Sequence, residues 1–250
     1  MASHFARWAL NAGSIPVHRI SQQTVDEAQS LTERRRSRYL AARMLLAEMM
    51  LRVYGIPQLP ELVVADNGRP HFTDSDLPDF SIAYAANIVG VLLAEEGGYA
   101  GLDMEIVRAH SRQTLEQHSR DISTAEKAWI NAQTDPDEAA TQLWTMRQSV
   151  LKLTGDKDRG KGFLQLQPAS GRLRSHSFSD IQAISDVEPL IIWSCALSPG
   201  SEHLNLWEFE ADSWTLLRDI PAYAQNLGAR MLRLTSLLPG KSSGDGTTGG

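Results

Sequence analysis

The sequence holds a single cysteine, Cys195. No internal disulfide can form, which fits a reducing, cytoplasmic setting. Lying in the apolar run 190–197, the thiol reads as a buried strand residue. No stretch of 18 apolar residues is present, so no membrane-spanning helix is expected. The start, MASHFARWALN, lacks the charged-then-apolar layout of a signal peptide. A net charge of −6 lacks the broad basic excess of a nucleic-acid-binding protein, so no nucleic-acid partner is expected. There is no G-x-S-x-G elbow, no phosphate-binding P-loop and no G-x-G-x-x-G. The seven histidines are scattered, without H-x-x-x-H spacing or cysteine partners, which argues against zinc.

What is present is a chain of 250 residues, 42% hydrophobic, enough for one large domain or two small ones with a real core. It is organised around residues 80–105, which read as two apolar strands, a Glu-Glu-Gly-Gly turn, and a strand ending Gly101-Leu102-Asp103-Met104-Glu105. Alternate side chains of a strand share a face. Asp103 and Glu105 therefore point one way, and Leu102 and Met104 the other. Two carboxylates at that spacing form a hard, oxygen-only pair suited to magnesium; a solvated edge-strand pair reads the same. Arg34, Arg35, Arg36, Arg38 and Arg43 form a basic cluster on an otherwise acidic chain. It fits a small phosphorylated ligand or an acidic protein partner, and equally a solvated helix face.

The remaining patterns give an α+β chain. A first strand is expected over residues 5–10. A helix capped by Thr32 runs to Tyr54, where Gly55 and Pro57 end it. A short strand at 62–65 leads into the turn Asp66-Asn67-Gly68 and an extended Arg69-Pro70. A second helix lies around 124–132, capped by Ser123; another starts at Asp135-Pro136-Asp137 and ends at Gly155. Strands are expected at 163–166, 172–178, 190–197 and 204–209. Residues 221–238 read as an amphipathic helix with Tyr223, Leu227, Met231, Leu234 and Leu238 on one side. Helix-then-meander, twice, suggests two similar halves: 1–100, and 101–239 with its C-terminal helix. The low-complexity tail 240–250 is expected to be disordered.

Three blocks stand in order: Gly68-Arg69-Pro70 leading to Phe80; Gly101-x-Asp103-x-Glu105; and Trp144-Thr145-x-Arg147-Gln148-Ser149-x-x-Lys152-x-x-Gly155. Together they resemble the 4′-phosphopantetheinyl transferases of the surfactin-synthetase-activating type. That family shows G-K-P, F-N-x-S-H-S, G-x-D-x-E and W-[ST]-x-K-E-A-x-x-K-x-x-G. Before the last block it often carries F-S-x-x-E, where this chain has Ile122-Ser123-Thr124-Ala125-Glu126. The resemblance implies that family's fold, with two similar α/β subdomains in one chain, and a monomer. It implies transfer of the phosphopantetheine arm of coenzyme A to a serine of an acyl or peptidyl carrier protein, with magnesium. Such carriers serve fatty acid, polyketide or nonribosomal peptide biosynthesis. Asp103 and Glu105 match the family's metal ligands and Lys152 its catalytic lysine. Arg38 matches an arginine that reaches the coenzyme's nucleotide phosphate. Arg69 and Pro70 stand at G-K-P, with Arg69 suited to the 3′-phosphate. Trp144 reads as core.

The chain departs from the family at two places. F-N-x-S-H-S reads Phe80-Ser81-Ile82-Ala83-Tyr84-Ala85 here, so both serines are alanine and Tyr84 replaces the phosphate-binding histidine. K-E-A reads Arg147-Gln148-Ser149, so Gln148 replaces a carboxylate; an amide offers a carbonyl oxygen but cannot take a proton. These changes keep open a non-catalytic or weakly active relative that binds coenzyme A or a carrier. An unrelated α+β binding domain with a structural D-x-E is a third reading.

Overall fold

A computed structural model of the chain describes residues 1–107, 116, 118, 120, 122–156, 163–210, 212–222, 224–225 and 227–236. The strands are β1 (Ala2–Ala9), β2 (Leu62–Val64), β3 (Pro70–Phe72), β4 (Phe80–Ala85), β5 (Ile88–Leu93), β6 (Tyr99–Ile106), β7 (Leu164–Gln167), β8 (Arg172–Ser175), β9 (Gln182–Val187), β10 (Ile191–Ser198), β11 (His203–Glu210), β12 (Ser213–Pro221) and β13 (Leu232–Ser236). The helices are α1 (Gln22–Ala28), α2 (Glu33–Tyr54), α3 (Thr124–Asn131) and α4 (Pro136–Thr154).

This mixed α/β fold has two main sheets, ordered β12-β11-β1-β5-β4 and β6-β10-β9-β13-β8-β7, and a β2-β3 ribbon. β1 pairs parallel with β11 and antiparallel with β5, so the first strand is joined in one sheet to residues about 200 positions later. Strand periodicity assigns the layers. Phe5, Leu92, Ala83, Leu102, Met104, Trp193 and Cys195 fill one core between the sheets. On the opposite faces, Val89, Val91 and Phe80 pack under α2, and Ala183 and Ala196 under α4. Arg7 of β1 forms a forked ion pair with Glu188, which also accepts from the Trp193 indole at 2.7 Å, so polar contacts join the sheets as well.

From Leu40 to Met50 every residue of α2 is buried, more than a one-sided stripe predicts. Ala41, Leu45, Leu46 and Met49 face the sheet, while Leu40 and Ala47 meet Ile20 and Ala28. The outer cover is α1, started by Ser21, whose hydroxyl accepts from the Thr24 N–H at 3.2 Å. The Ser123 cap is a full capping box: Ser123 Oγ accepts from the Glu126 N–H and Glu126 accepts from the Ser123 N–H. Glu126 is 1% exposed and also pairs with Arg147 at 2.8 Å, so Ile122-Ser123-Thr124-Ala125-Glu126 and the start of Arg147-Gln148-Ser149 are joined by one buried ion pair.

The expected C-terminal helix is corrected. Chain from Ser213 to Pro221 is β12, and Leu232–Ser236 is β13, filling the slot between β9 and β8. Leu232 and Leu234 fit a two-residue period as well as a helical one, and ladder pairing with distant strands decides between them. Tyr223, Leu238 and the tail lie outside the described residues.

Helix and sheet approach closely at Gly101 of β6. A Cβ there would collide with the Ser149 carbonyl oxygen of α4 and lie 2.7 Å from the Leu153 nitrogen. Backbone cannot yield as a flexible side chain can. Gly101→Ala should lose about 1–3 kcal/mol or more of unfolding free energy, the range for overpacking. Urea denaturation measures it; an unchanged midpoint would contradict the flush contact.

Candidate active site

The approach at Gly101 brings one face of β6 against the last turns of α4. Leu102 and Met104 enter the core between the sheets, which leaves Asp103 and Glu105 on the α4 side. From α4, the Lys152 ammonium donates to the Leu102 carbonyl at 2.8 Å and meets Asp103 Oδ1 at 3.3 Å. The other carboxylate oxygen, Oδ2, is buried with no hydrogen-bond partner. An orphaned carboxylate oxygen is costly unless a cation or donor reaches it. With Glu105 on the same face, the donors are hard oxygens, and this pair fits magnesium, which commonly takes one or two carboxylates with other oxygens completing the shell. Among the described residues no third His, Cys, Asp or Glu joins them.

Beside this pair opens a cleft of about 750 Å³. Its walls include Tyr39, Val64, Pro70, Ile82, Tyr84 and Leu151, and its polar groups include Arg43, Gln148 and Lys152. Gln148 and Lys152 are one helical turn apart, so both reach the cleft. Tyr84 stands on the cleft side of β4, while Ala83 and Ala85 alternate into the core between the sheets. The two alanines where the family has serines therefore point away from the cleft in this fold. Ser81 lines the cleft and its hydroxyl accepts from the Leu102 N–H at 2.9 Å, tying β4 to β6.

The arginines divide. Arg38 lies across Tyr84 from the cleft: it donates to the Ala86 carbonyl, sits 5.8 Å from the Tyr84 ring centre, and lines a neighbouring pocket with Arg34 and Asn87. Arg69 lines the cleft, but its guanidinium binds four protein oxygens: Lys152 O, Phe80 O and Ala100 O, each at 2.7 Å, and Asp79 Oδ2 at 2.8 Å. Trp144 stacks on His118 with ring centres 3.6 Å apart, outside the cleft lining.

Arg43 was visible in the sequence only as one of a cluster. Its residue is 8% exposed, its guanidinium stacks 3.4 Å from the Tyr39 ring centre, and it lines the cleft. Its hydrogen bond is a long one, 3.4 Å, to the Tyr39 carbonyl. Among the described residues no carboxylate lies within ion-pair distance of it. Burial pushes its pKa below the usual arginine value. A buried cation facing a cleft without a counter-ion is a place for an anion. The available signal was a charge inside the buried stretch of α2.

Burial pushes the Asp103 carboxyl up to about 6; Lys152 opposes the rise and Glu105 adds to it. Glu105 is also raised, chiefly by burial, with Lys152 opposing. A carboxyl with a raised folded pKa keeps a proton that the unfolded chain has already lost between about pH 4 and 6, so stability falls as pH rises through that window and stays lower above it. In metal-free buffer, Asp103→Asn removes this titration. From pH 4 to pH 8 its stability should gain on the wild type by roughly 2–3 kcal/mol, at about 1.4 kcal/mol per pKa unit. Parallel stability curves for the two proteins would contradict it.

Comparison with known proteins places this geometry. The family model described as the 4′-phosphopantetheinyl transferase superfamily matches residues 99–203, from β6 to the start of β11. The chain is 44% identical over 244 residues to the uncharacterized protein YieE of Escherichia coli strain K12, covering 95% of this chain and 96% of that one. It is 26% identical over 148 residues to the 4′-phosphopantetheinyl transferase AcpT of Salmonella typhimurium, covering 58% of this chain and 69% of that one. A stretch of 124 residues is 27% identical to the AcpT of Escherichia coli strain K12, covering 48% and 59%. The matched segment, 99–203, is that of the 4′-phosphopantetheinyl transferase superfamily, and it holds Asp103, Glu105, Gln148 and Lys152.

Proposed function

We propose that the protein moves the 4′-phosphopantetheine arm of coenzyme A onto a serine of an acyl or peptidyl carrier protein, as an enzyme of the surfactin-synthetase-activating type. The observation that carries this is a pairing beside one cleft. A buried carboxylate has an oxygen without a partner, and a buried guanidinium has no counter-ion among the described residues. A coenzyme bearing a pyrophosphate and a 3′-phosphate, together with a divalent cation, answers both. Two similar halves meeting near residue 100, a monomeric state and a cytoplasmic setting belong to the same proposal. No helix among the described residues is long and apolar enough to cross a membrane.

Asp103 and Glu105 would hold magnesium, and the Gln148 carbonyl oxygen, one helical turn from Lys152 on the cleft wall, would serve its outer shell. When bound, magnesium would neutralise pyrophosphate charge and the charge developing on the leaving group. Arg43 and Lys152 draw the phosphates into the cleft, Tyr84 donates a hydroxyl hydrogen bond, and Pro70 packs on the nucleotide. Arg38, beyond Tyr84, serves an outlying phosphate. The carrier serine oxygen attacks the phosphorus bearing the pantetheine arm. A new P–O bond forms as the P–O bond to the nucleotide breaks, and adenosine 3′,5′-bisphosphate leaves with the electron pair. The serine proton passes to Glu105, directly or through a water.

A second reading, a non-catalytic relative that binds coenzyme A or a carrier, is favoured by Tyr84 and Gln148. Incubating an apo-carrier with coenzyme A, magnesium and the protein, then reading its mass, separates the two. The transferase reading expects a gain of one phosphopantetheine per carrier, lost in Asp103→Ala while the fold persists. Gln148→Glu should speed transfer by up to ~10²-fold, because it supplies a second general base. Modification that appears only when Gln148→Glu and Tyr84→His are combined would support the non-catalytic reading instead. Near-normal transfer by Asp103→Ala would remove Asp103 from the mechanism.

A further inference from the structure

Arg69 stands where the family has the lysine of G-K-P, yet its surroundings are those of a structural joint. Its side chain is 15% exposed. Nη1 donates to the Lys152 carbonyl, and Nη2 shares its hydrogens among Asp79 Oδ2, Phe80 O and Ala100 O, while Nε is buried without a partner. Asp79 Oδ2 also accepts from the Ala100 N–H at 2.9 Å, so the Arg69–Asp79 pair grips Ala100 through both its N–H and its C=O. The His71 ring stands 3.5 Å from the other Asp79 oxygen.

These acceptors fall on elements that bear the reacting groups. Ala100 lies three residues before Asp103 on β6. The Lys152 carbonyl is one of the last four of α4, which no helical N–H can satisfy, and a guanidinium there also complements the helix dipole. One planar fork thus fixes the strand that carries Asp103 and the helix turn that carries Lys152. A lysine is a point charge on a flexible stem and cannot span four acceptors spread around a plane.

We infer that Arg69, held by Asp79, is a positioning residue that sets Lys152 against Asp103, and that it does not act as a ligand of the coenzyme phosphates. The inference rests on the transferase reading for the role of Lys152.

The test uses the full chain as wild type, Arg69→Met, Arg69→Lys and Asp79→Asn. Three quantities are read: coenzyme A affinity by calorimetry with magnesium, kcat and KM for carrier modification per folded molecule, and backbone hydrogen exchange. Asp79→Asn guards against misfolding, because it loosens the joint while leaving the guanidinium free for any phosphate. The expected result is a kcat lower by about tenfold or more in all three variants, as for a misplaced catalytic group. Coenzyme affinity and KM should stay within about threefold, and exchange should quicken around Ala100 and the last turn of α4. Three results would overturn the inference: affinity lost in Arg69→Met and restored in Arg69→Lys with kcat kept, which marks a phosphate ligand; an unchanged kcat in all variants, which marks a purely structural tie; or unchanged exchange in Arg69→Met. If the wild type modifies no carrier, the transferase reading fails on its own, and the exchange result alone then decides whether the joint exists.

Discussion

Everything at the site depends on the absence of one side chain. With no Cβ at Gly101, β6 lies against the backbone of α4 at Ser149 and Leu153. At that separation a lysine one turn along the helix reaches a strand carbonyl at 2.8 Å and the next carboxylate at 3.3 Å. Moving the helix out by the width of a methyl group would open those contacts and the cleft wall formed by Gln148, Leu151 and Lys152. The glycine of G-x-D-x-E is thus a packing requirement, and the acidic residues are set by strand alternation behind it.

The charges around this contact are arranged against local stability. Asp103 is buried, lifted to about 6, and has an oxygen with no partner. Arg43 is buried on an aromatic ring without a carboxylate near it among the described residues. Elsewhere buried or half-buried carboxylates are paired with a guanidinium: Glu126 with Arg147, Glu48 with Arg19, and Glu188 with Arg7. A buried carboxylate with one oxygen unpartnered and a buried guanidinium with no carboxylate near it among the described residues, both beside one cleft, suit the proposed coenzyme and divalent cation.

Local signals carried much of this into the sequence. Gly55 and Gly155, both with φ near +70°, end α2 and α4 where the sequence places helix stops, and Ser123 caps α3 through its own side chain. The alternation of Leu102, Asp103, Met104 and Glu105 gave the correct faces of β6. What the residues could not show was set by distant partners. β13 is a strand because β9 and β8 leave a slot for it. α1 is short and matters as a cover for α2. Arg69 looks like a phosphate ligand by its place in the chain, and only its acceptors on α4, β4 and β6 reveal the joint. Arg43 lay in plain view within a basic cluster, but its burial depends on Tyr39 and the cleft wall.

The central claim is that the cleft binds coenzyme A and a divalent cation together. Titrating coenzyme A into the wild-type protein by calorimetry, with and without magnesium, tests it most directly. The account predicts saturable one-to-one binding that tightens when magnesium is present. Absence of binding in both conditions, or an affinity indifferent to magnesium, would contradict it.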